Sequence, residues 1–219
     1  IYFGINDTVD FDRRMLYSLV KENFICFDIG ANIGETTLNF AKLASKGKIY
    51  SFEPVPFLFQ RLKTNVELNS FQNISLNNLA VSDKQEELFF ENPNNNNSSG
   101  ISLNKEKSAS SSIVYSTTID TFVSSTNIEK IDFMKIDVEG FENFVINGGT
   151  NTLKKMKPIL FIEIDNKNLL KNNSSEKILL TQLQNELGYT LYRIDGIEKT
   201  KITSIENTNE HYDVLCVAE

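Results

Sequence analysis

The sequence predicts an α/β fold in which helices cover both faces of a mostly parallel sheet. Apolar strand-like runs alternate with helix-like segments through most of the 219 residues, and such alternation is typical of parallel sheets. The last two predicted strands, "TLYRID" and "YDVLCVAE", have no helix between them. We therefore expect these two strands to form an antiparallel hairpin at one side of the sheet.

The first part of the chain supplies three strands and three helices. The helices are predicted because apolar residues recur at helical spacing, and Pro56 is a typical first residue of the third helix. In chain order we expect a helix over 10–22, a strand over 24–29, a helix over 35–44, a strand over 48–52, a helix over 56–68 and a strand over 74–81.

Between residues 83 and 130 the alternation of strands and helices breaks. The segments "ELFFENP" and "SSIVYSTTIDTF" predict two extra strands around a mobile loop formed by the tract "NNNNSSG". A short helix should follow, capped near Thr118 or Asp120. We therefore expect a single domain over residues 1–219, in which 83–130 is an insertion with extra strands and an Asn/Ser-rich loop.

The alternation returns after residue 130. The segment "IDFMKIDVEG" predicts a strand over 131–138, and the helix that begins at Phe141 should close at Gly148-Gly149. We then expect a strand over 158–165, a helix over 174–187, and the two last strands, joined by a loop that contains His211.

Composition and charge exclude several kinds of partner. The net charge of −7 argues against a nucleic-acid partner. No apolar run approaches the roughly 18 residues of a membrane-spanning helix, and no signal peptide is visible. Cys26 and Cys216 lie in apolar runs without a CxxC or Cys/His cluster, which favours buried thiols over a zinc site. We therefore expect a cytoplasmic protein that binds neither nucleic acid nor membrane.

The stretch "FDIGANIG" places an acid and two glycines at the carboxyl end of the first predicted strand. Ligands of open α/β sheets bind outside this edge of the sheet. Gly30 and Gly34 permit close approach of the backbone, and the following helix offers free N–H groups to an anion. Asp28 would attract an ammonium group of the same ligand.

Two cofactors compete for this turn, NAD and S-adenosylmethionine. The dinucleotide fingerprint G-x-G-x-x-G has a glycine where this sequence has Asn32, and a side chain there hinders a pyrophosphate, which S-adenosylmethionine lacks. Glu53, after the second strand, would accept hydrogen bonds from the ribose hydroxyls, and Ser82, after the third, would lie near the adenine. The combination favours S-adenosylmethionine, with a NAD-dependent Rossmann oxidoreductase as the alternative.

Four segments together resemble the FkbM family of S-adenosylmethionine-dependent methyltransferases: "FDIGANIGETTLNFAK", "IYSFEPVPFLFQRLKTNVELN", "LAVSD" and "IDFMKIDVEGFENFVINGG". The resemblance covers residues 24–165. It implies the three-layer, Rossmann-like class I methyltransferase fold, whose seven-stranded, mostly parallel sheet has an antiparallel last strand. It also implies O-methylation of a hydroxyl group on a carbohydrate or a small natural product.

Carried over by position, the resemblance also implies roles for individual residues. It places Ser82 near the adenine, and it places Asp137 beside the cofactor in an acidic motif that follows the fourth strand. The cofactor loop and ribose clamp would consist of Asp28, Gly30, Asn32, Gly34 and Glu53.

Methyl transfer requires the protein to align an acceptor oxygen and to remove its proton. Asp137 ends the fourth strand, and Glu163, near the end of the next strand, should lie beside it. Together they could hold a divalent metal ion that binds the hydroxyl. Alternatively, one of them could act as a carboxylate base of raised pKa, which is the favoured hypothesis.

His211, the single histidine, is a third candidate base, because in the family's fold the loop before the last strand returns to the cofactor. The predicted function is that of an O-methyltransferase. Among the three candidates Asp137 is the preferred base, because it lies within the motif "KIDVEG" and Gly140 turns the chain directly after it. A non-catalytic interaction module on the same scaffold stays open as an alternative.

Overall fold

The computed structural model describes residues 13–91, 101–208 and 210–218. The strands are β1 (Ile25–Ile29), β2 (Lys48–Phe52), β3 (Ile74–Asn77), β4 (Ala80–Val81), β5 (Glu87–Glu91), β6 (Leu103–Asn104), β7 (Ser111–Thr117), β8 (Phe133–Ile136), β9 (Ile159–Asp165), β10 (Tyr189–Asp195), β11 (Glu198–Lys201) and β12 (His211–Ala218). The helices are α1 (Arg14–Ser18), α2 (Glu35–Leu43), α3 (Pro56–Asn69), α4 (Ile119–Thr126), α5 (Glu142–Gly148), α6 (Thr150–Met156), α7 (Asn166–Lys171) and α8 (Glu176–Thr181), which a π-helical turn (Gln182–Glu186) continues.

Eight of the described strands form the main sheet, in the order β11-β10-β12-β9-β8-β1-β2-β3. Strands β3, β2, β1, β8 and β9 are parallel to one another, whereas β12 is antiparallel to both of its neighbours, β9 and β10. This order confirms the fold predicted from the sequence. The expected count of seven strands was wrong, because β11 adds an edge strand.

The C-terminal strands differ from the predicted hairpin in arrangement. Strands β10 and β12 do pair, but β12 lies between β9 and β10, and the hairpin partner of β10 is β11. All four residues of β11 are exposed, so the sequence shows no apolar alternation there. His211 is the first residue of β12 and not part of a loop.

Helices cover both faces of the main sheet, and the strands point alternate side chains toward them. On one face Phe27, Ile162 and their neighbours pack against α4, α5, α6 and α8. On the other face Cys26, Phe133 and Phe161 pack against α1 and α2. The second face is the one toward which Asp28, Lys135 and Glu163 point, because they alternate with residues of the first core. None of the helices in the described ranges is long and apolar enough to cross a membrane.

A small second sheet, β4-β7-β5-β6, lies beside the main one. The predicted third strand over 74–81 is divided, and only its first part, β3, joins the main sheet. At this division the Asn78 amide donates to the carbonyls of Glu53 and Pro54. The described part of residues 83–130 contains three strands where two were expected. The asparagine-rich tract at 94–100 falls outside the described residues.

Several helix boundaries agree with the sequence. The Thr118 hydroxyl caps α4 by accepting from the Thr121 N–H, and α5 ends at Gly148 with Gly149 as its cap. The last long helix begins after Ser175, which caps it. The helix expected over 10–22 is present at Arg14–Ser18, and its predicted first turn lies outside the described residues. Two helices, α6 and α7, were missed.

The two cysteines provide a test of this strand order. Both thiols are buried and free, and because two strands separate β12 from β1, their backbones lie about 14 Å apart, too far for a disulfide. Burial also raises the pKa of both thiols, so they should react slowly in the native state. We expect a thiol titration of denatured, unreduced protein to find two groups per chain. A result of zero would contradict the strand order.

Candidate active site

A cavity of about 330 Å³ opens at the carboxyl ends of β1, β2 and β8, a size that suits a small-molecule ligand. Five of the residues selected from the sequence line it: Gly30, Asn32, Glu53, Asp137 and Glu163. Four others do not: Asp28, Gly34, Ser82 and His211.

The loop after β1 lines the cavity. Its backbone conformation is possible because residue 30 is a glycine. Gly30 has a φ of +83°, and a Cβ atom there would lie 1.8 Å from the backbone oxygen of Asp137. Its N–H and that of Ala31 both donate to the carbonyl of Phe52, at 3.0 and 2.9 Å. The loop is therefore pressed against the ends of both neighbouring strands, and it forms a cradle that a side chain would fill.

Glu53 is held in a fixed orientation at the end of β2. Its Oε2 accepts from the Asn32 N–H and its Oε1 from the Val55 N–H, each at 2.9 Å. Only 5 % of the residue is exposed, and burial raises its pKa to about 7 although the two N–H donors act in the opposite direction. Each oxygen has a second lone pair, so this carboxylate fits a ligand that offers a pair of hydroxyl groups.

Asp28 does not face the cavity, which differs from its predicted contact with a ligand ammonium group. The side chain is completely buried. The Thr37 hydroxyl donates to its Oδ2 at 2.6 Å, and the Lys135 ammonium lies 3.8 Å from its Oδ1. Lys135, which lines the cavity, therefore separates Asp28 from it. The sequence could not show this, because Thr37 and Lys135 come from α2 and β8.

Gly34 and Ser82 are next to residues that line the cavity but do not line it themselves. Gly34 caps α2 with a φ of +98°, and a Cβ atom there would meet Leu62 at 2.5 Å. Ser82 is fully buried, and its N–H donates to the Thr117 carbonyl. The apolar residues just before it, Leu79–Val81, line the cavity instead.

Beside the glycine loop a line of charged side chains crosses three strands, β8, β9 and β12. The Lys135 Nζ atom lies 2.9 Å from Oδ2 of Asp137 and donates to the Gly30 carbonyl at 3.0 Å. Asp137 is hydrogen-bonded to Glu163. Glu163 in turn lies 3.0 Å from Nε2 of His211. The three candidate bases are thus joined in one chain of contacts.

The two carboxyl groups share one proton at neutral pH. Burial alone would raise the pKa of Asp137, but the Lys135 ammonium and the hydrogen bond from Glu163 outweigh it and hold that pKa below its ordinary value. Burial, together with the neighbouring charge of Asp137, raises the pKa of Glu163. The raised pKa expected of a carboxylate base is therefore found at Glu163 and not at Asp137. The directions of the two pKa shifts favour the arrangement in which Glu163 is the protonated member and hydrogen-bonds to the Asp137 carboxylate, and the titration belongs to the pair.

Two charged residues near this site were missed from the sequence. Asp213 lies beside Glu163 in the register of β12 and β9, and burial raises its pKa to about 6. Arg13 precedes α1 and lines the cavity. Asp213 follows His211 at a period-two spacing, which could have indicated a shared face. No local pattern distinguishes Arg13 from Arg14.

Metal ligation has no geometric support in the described part of the chain, where no group of three or more His, Cys, Asp or Glu side chains is arranged to hold an ion. The Lys135 ammonium occupies the position beside Asp137 and Asp28.

The strand order, the glycine loop after β1 and the acid after β2 define a class I methyltransferase fold. Residues 28–191 match the methyltransferase FkbM domain. This chain belongs to the FkbM methyltransferase family and is an S-adenosylmethionine-dependent methyltransferase. Membership decides between the two cofactors that the sequence left open, in favour of S-adenosylmethionine.

Two characterised proteins resemble the chain over most of their length. The 2-O-methyltransferase NoeI of Sinorhizobium fredii is 26% identical, over 78% of this chain and 75% of that protein. The hexuronic acid methyltransferase AglP of Haloferax volcanii is 27% identical, over 82% of this chain and 74% of that protein.

Solved structures show the same fold. The methyltransferase FkbM of Methylobacillus flagellatus aligns with a TM-score of 0.58 and 15% identity over 91% of this chain, which spans 47% of that protein. The Streptococcus mutans protein SMU.1697c, solved with S-adenosylhomocysteine, aligns with a TM-score of 0.56 and 11% identity over 98% of this chain and 99% of that protein.

The first prediction at this site concerns Glu53. If its carboxylate binds the two ribose hydroxyls, Glu53→Ala should weaken S-adenosylhomocysteine binding by about 1.5–3 kcal/mol, the range for hydrogen bonds to a charged group. Calorimetry on folded protein measures this directly. An unchanged affinity in a folded variant would remove Glu53 from the cofactor site.

The raised pKa of Glu53 adds a pH dependence to this prediction. Below its pKa of about 7 the carboxyl group is protonated and loses the charge that favours both hydroxyl donors. S-adenosylhomocysteine affinity should therefore fall as pH decreases through 7, by up to about tenfold per pH unit, and level off above it. Glu53→Gln should abolish this slope, whereas a slope that persists in this variant would assign the titration to another group.

Proposed function

We propose that this chain transfers the methyl group of S-adenosylmethionine to a hydroxyl oxygen of a carbohydrate. One observation carries the proposal: the glycine loop, Glu53 and the Asp137–Glu163 pair all line the same cavity. The relatives support the acceptor class, since one is named for transfer to an oxygen and the other for a sugar acid.

The Asp137–Glu163 pair can take a proton from the acceptor hydroxyl. The bound cofactor supplies a methyl group that is already reactive, so the protein has to place the hydroxyl in line with it and accept its proton. Asp137 is ionised at neutral pH, its side chain is 20% exposed, and the Lys135 ammonium fixes its Oδ2. We assign the role of base to Asp137.

Because Asp137 and Glu163 already share one proton, the pair cannot retain a second one beside Lys135. Taking the acceptor's proton therefore requires passing the shared proton on. Glu163 is positioned to do this, since its Oε1 lies 3.0 Å from Nε2 of His211, whose side chain is 62% exposed to solvent. In this proposal Glu163 transfers the proton and His211 delivers it to water.

A prediction about His211 tests this exit route. His211→Ala should lower kcat by about 10- to 100-fold, below the full effect of losing a base, and should leave S-adenosylhomocysteine affinity unchanged. Added imidazole should restore part of the turnover, because the position is open to solvent. In His211→Gln the amide fills that space, and imidazole should have no effect. Normal turnover in both variants would exclude the route through His211.

The position of the insertion beside the cavity supports a role for it in selecting the acceptor. Ile101 and Leu103, from residues 83–130, line the cavity, and the Ser102 hydroxyl donates to the Glu139 carbonyl at 2.9 Å. We propose that this segment, within a single domain, forms the wall against which the acceptor lies. We also propose a cytoplasmic location, which the two free, buried thiols support.

Labelled-methyl transfer tests the function. Calorimetry should first show binding of S-adenosylhomocysteine and none of NAD. The chain is then incubated with labelled S-adenosylmethionine and a panel of neutral hexosides and hexuronosides. We expect an alkali-stable methyl ether. An alkali-labile ester would move the acceptor from hydroxyl to carboxylate, and cofactor binding without transfer to any oxygen would favour the non-catalytic module.

A further inference from the structure

Arg13 lies against the cavity but outside the part of the chain that matches the family, residues 28–191. Its Nη1 donates to the Thr36 hydroxyl at 3.1 Å, and its side chain also forms a hydrogen bond with Tyr17. Thr36 is the second residue of α2, directly after the glycine loop. Arg13 is therefore fixed against the first turn of α2, next to the glycine loop.

The charges around the cavity make this arginine unusual. Among the described residues, five acids line it, and only Arg13 and Lys135 contribute positive charge; the acids are Glu35, Glu53, Asp137, Glu139 and Glu163. A ligand that carries a carboxylate needs a cation or several N–H donors, because an unpaired anion in such surroundings is costly.

Lys135 cannot serve that carboxylate. Its ammonium is nearly fully buried and is already shared among Asp137 at 2.9 Å, the Gly30 carbonyl at 3.0 Å and Asp28 at 3.8 Å. Two of its three N–H donors are directed at Asp137 and at the Gly30 carbonyl, and its positive charge is already balanced by the two carboxylates of Asp137 and Asp28.

Arg13 has donors to spare. A guanidinium group carries five N–H donors in a planar fork that matches a carboxylate, and hydrogen bonds to Thr36 and Tyr17 use only part of them. Within the described ranges no carboxylate forms an ion pair with Arg13. The nearby carboxylates that act on its charge are Glu35, at the start of α2, and Asp137.

We propose that Arg13 binds the carboxylate of the methionyl part of S-adenosylmethionine. The methionyl part ends in an ammonium and a carboxylate, while the ribose lies toward Glu53 at the end of β2. A ligand extended from Glu53 along the glycine loop brings its carboxylate toward the first turn of α2, where Arg13 is fixed. This inference rests on the cofactor-binding half of the proposed function and adds a residue to it.

A pair of ligands isolates the carboxylate. Decarboxylated S-adenosylmethionine differs from S-adenosylmethionine by that group alone, so calorimetry with both ligands and two proteins forms a complete cycle. Arg13→Ala should weaken S-adenosylmethionine binding by about 10- to 100-fold, the range for charged hydrogen bonds. It should leave the affinity of the decarboxylated ligand nearly unchanged. Arg13→Lys should recover only part of the loss, since it cannot form the planar fork.

Two controls separate this role from others. Arg14→Ala removes the same charge from a neighbouring exposed residue that does not line the cavity, and it should change neither affinity. Glu53→Gln should weaken both ligands equally. Thermal melts of each variant verify that α1 still packs against α2.

The outcomes are distinct. An equal loss for both ligands in Arg13→Ala would assign Arg13 to shaping the cavity, and no loss for either would remove it from the cofactor site. If cofactor affinity stays normal while the acceptor KM rises, Arg13 binds an anionic group of the acceptor. Failure of the wild-type chain to bind S-adenosylmethionine would overturn the cofactor site itself, and the role of Arg13 with it.

Discussion

Replacing Asp137 by asparagine should lower kcat by about 10²-fold or more, the usual scale for general acid–base catalysis, with little change in S-adenosylhomocysteine affinity. Asparagine keeps the shape and can still accept from Lys135, but it cannot take a proton. It also ends the sharing of a proton with Glu163. Single-turnover kinetics with saturating acceptor measure the effect on the chemical step.

Two further measurements sharpen this prediction. Asp132→Asn provides a matched control, because Asp132 accepts the Ile25 N–H at the other end of β8 and does not line the cavity; it should cost stability and not turnover. Adding a chelator to the wild type then distinguishes a base from a metal ligand. Loss of activity that Mg²⁺ or Mn²⁺ restores would make Asp137 a ligand, and near-normal turnover in Asp137→Asn would show that another residue acts.

The second large effect is expected at Gly30. The Cβ atom of Gly30→Ala would lie 1.8 Å from the Asp137 backbone oxygen at a φ of +83°, so either the loop or the end of β8 must move. Because the same shift displaces both the cofactor loop and the base, turnover should fall by about 10²-fold or more. Cofactor affinity should fall as well. Stability should drop by more than the roughly 1–2 kcal/mol of a left-handed residue.

Gly196→Ala is the matched control for the cost of placing a side chain at a residue with positive φ. Gly196 has a φ of +64° with nothing within 4 Å of an added Cβ, and it lies in the turn between β10 and β11. Gly196→Ala should cost about 1–2 kcal/mol and leave turnover intact. If the two alanine variants behave alike, the contact between Gly30 and Asp137 has no functional role.

The sequence predicted the fold well where strands are apolar and turns carry glycine or proline. The strand ends at Ile29, Phe52 and Asp165 agree with the structure to the residue. It failed where those signals are absent: β11 is polar throughout, and α7 has six residues directly after a strand. The third predicted strand is divided next to Asn78, whose two long-range hydrogen bonds to the carbonyls of Glu53 and Pro54 no local pattern encodes.

For the site, position along the chain predicted which residues gather but not which of them face the cavity. Glu53 and Asp137 come directly after β2 and β8, and both line the cavity. Asp28 lies within a strand, so its orientation depends on what α2 and β8 present to it, and the structure gives it Thr37 and Lys135 as partners. Arg13 reaches the cavity only because α1 packs on α2, a tertiary contact that the sequence does not reveal. The roles of all these residues stay predictions.

The central position of β12 has a consequence for how the enzyme is built during synthesis. Strand β10 has no contact with β9 until β12 is made, because β12 lies between them. Until then both strands present open edges, which are prone to pair with other chains, and such late, long-range pairing is slow. The same strand begins with His211, so the contact between His211 and Glu163 forms only when the sheet closes. If the proposed proton route operates, a nascent chain that has not yet closed its sheet lacks its last member.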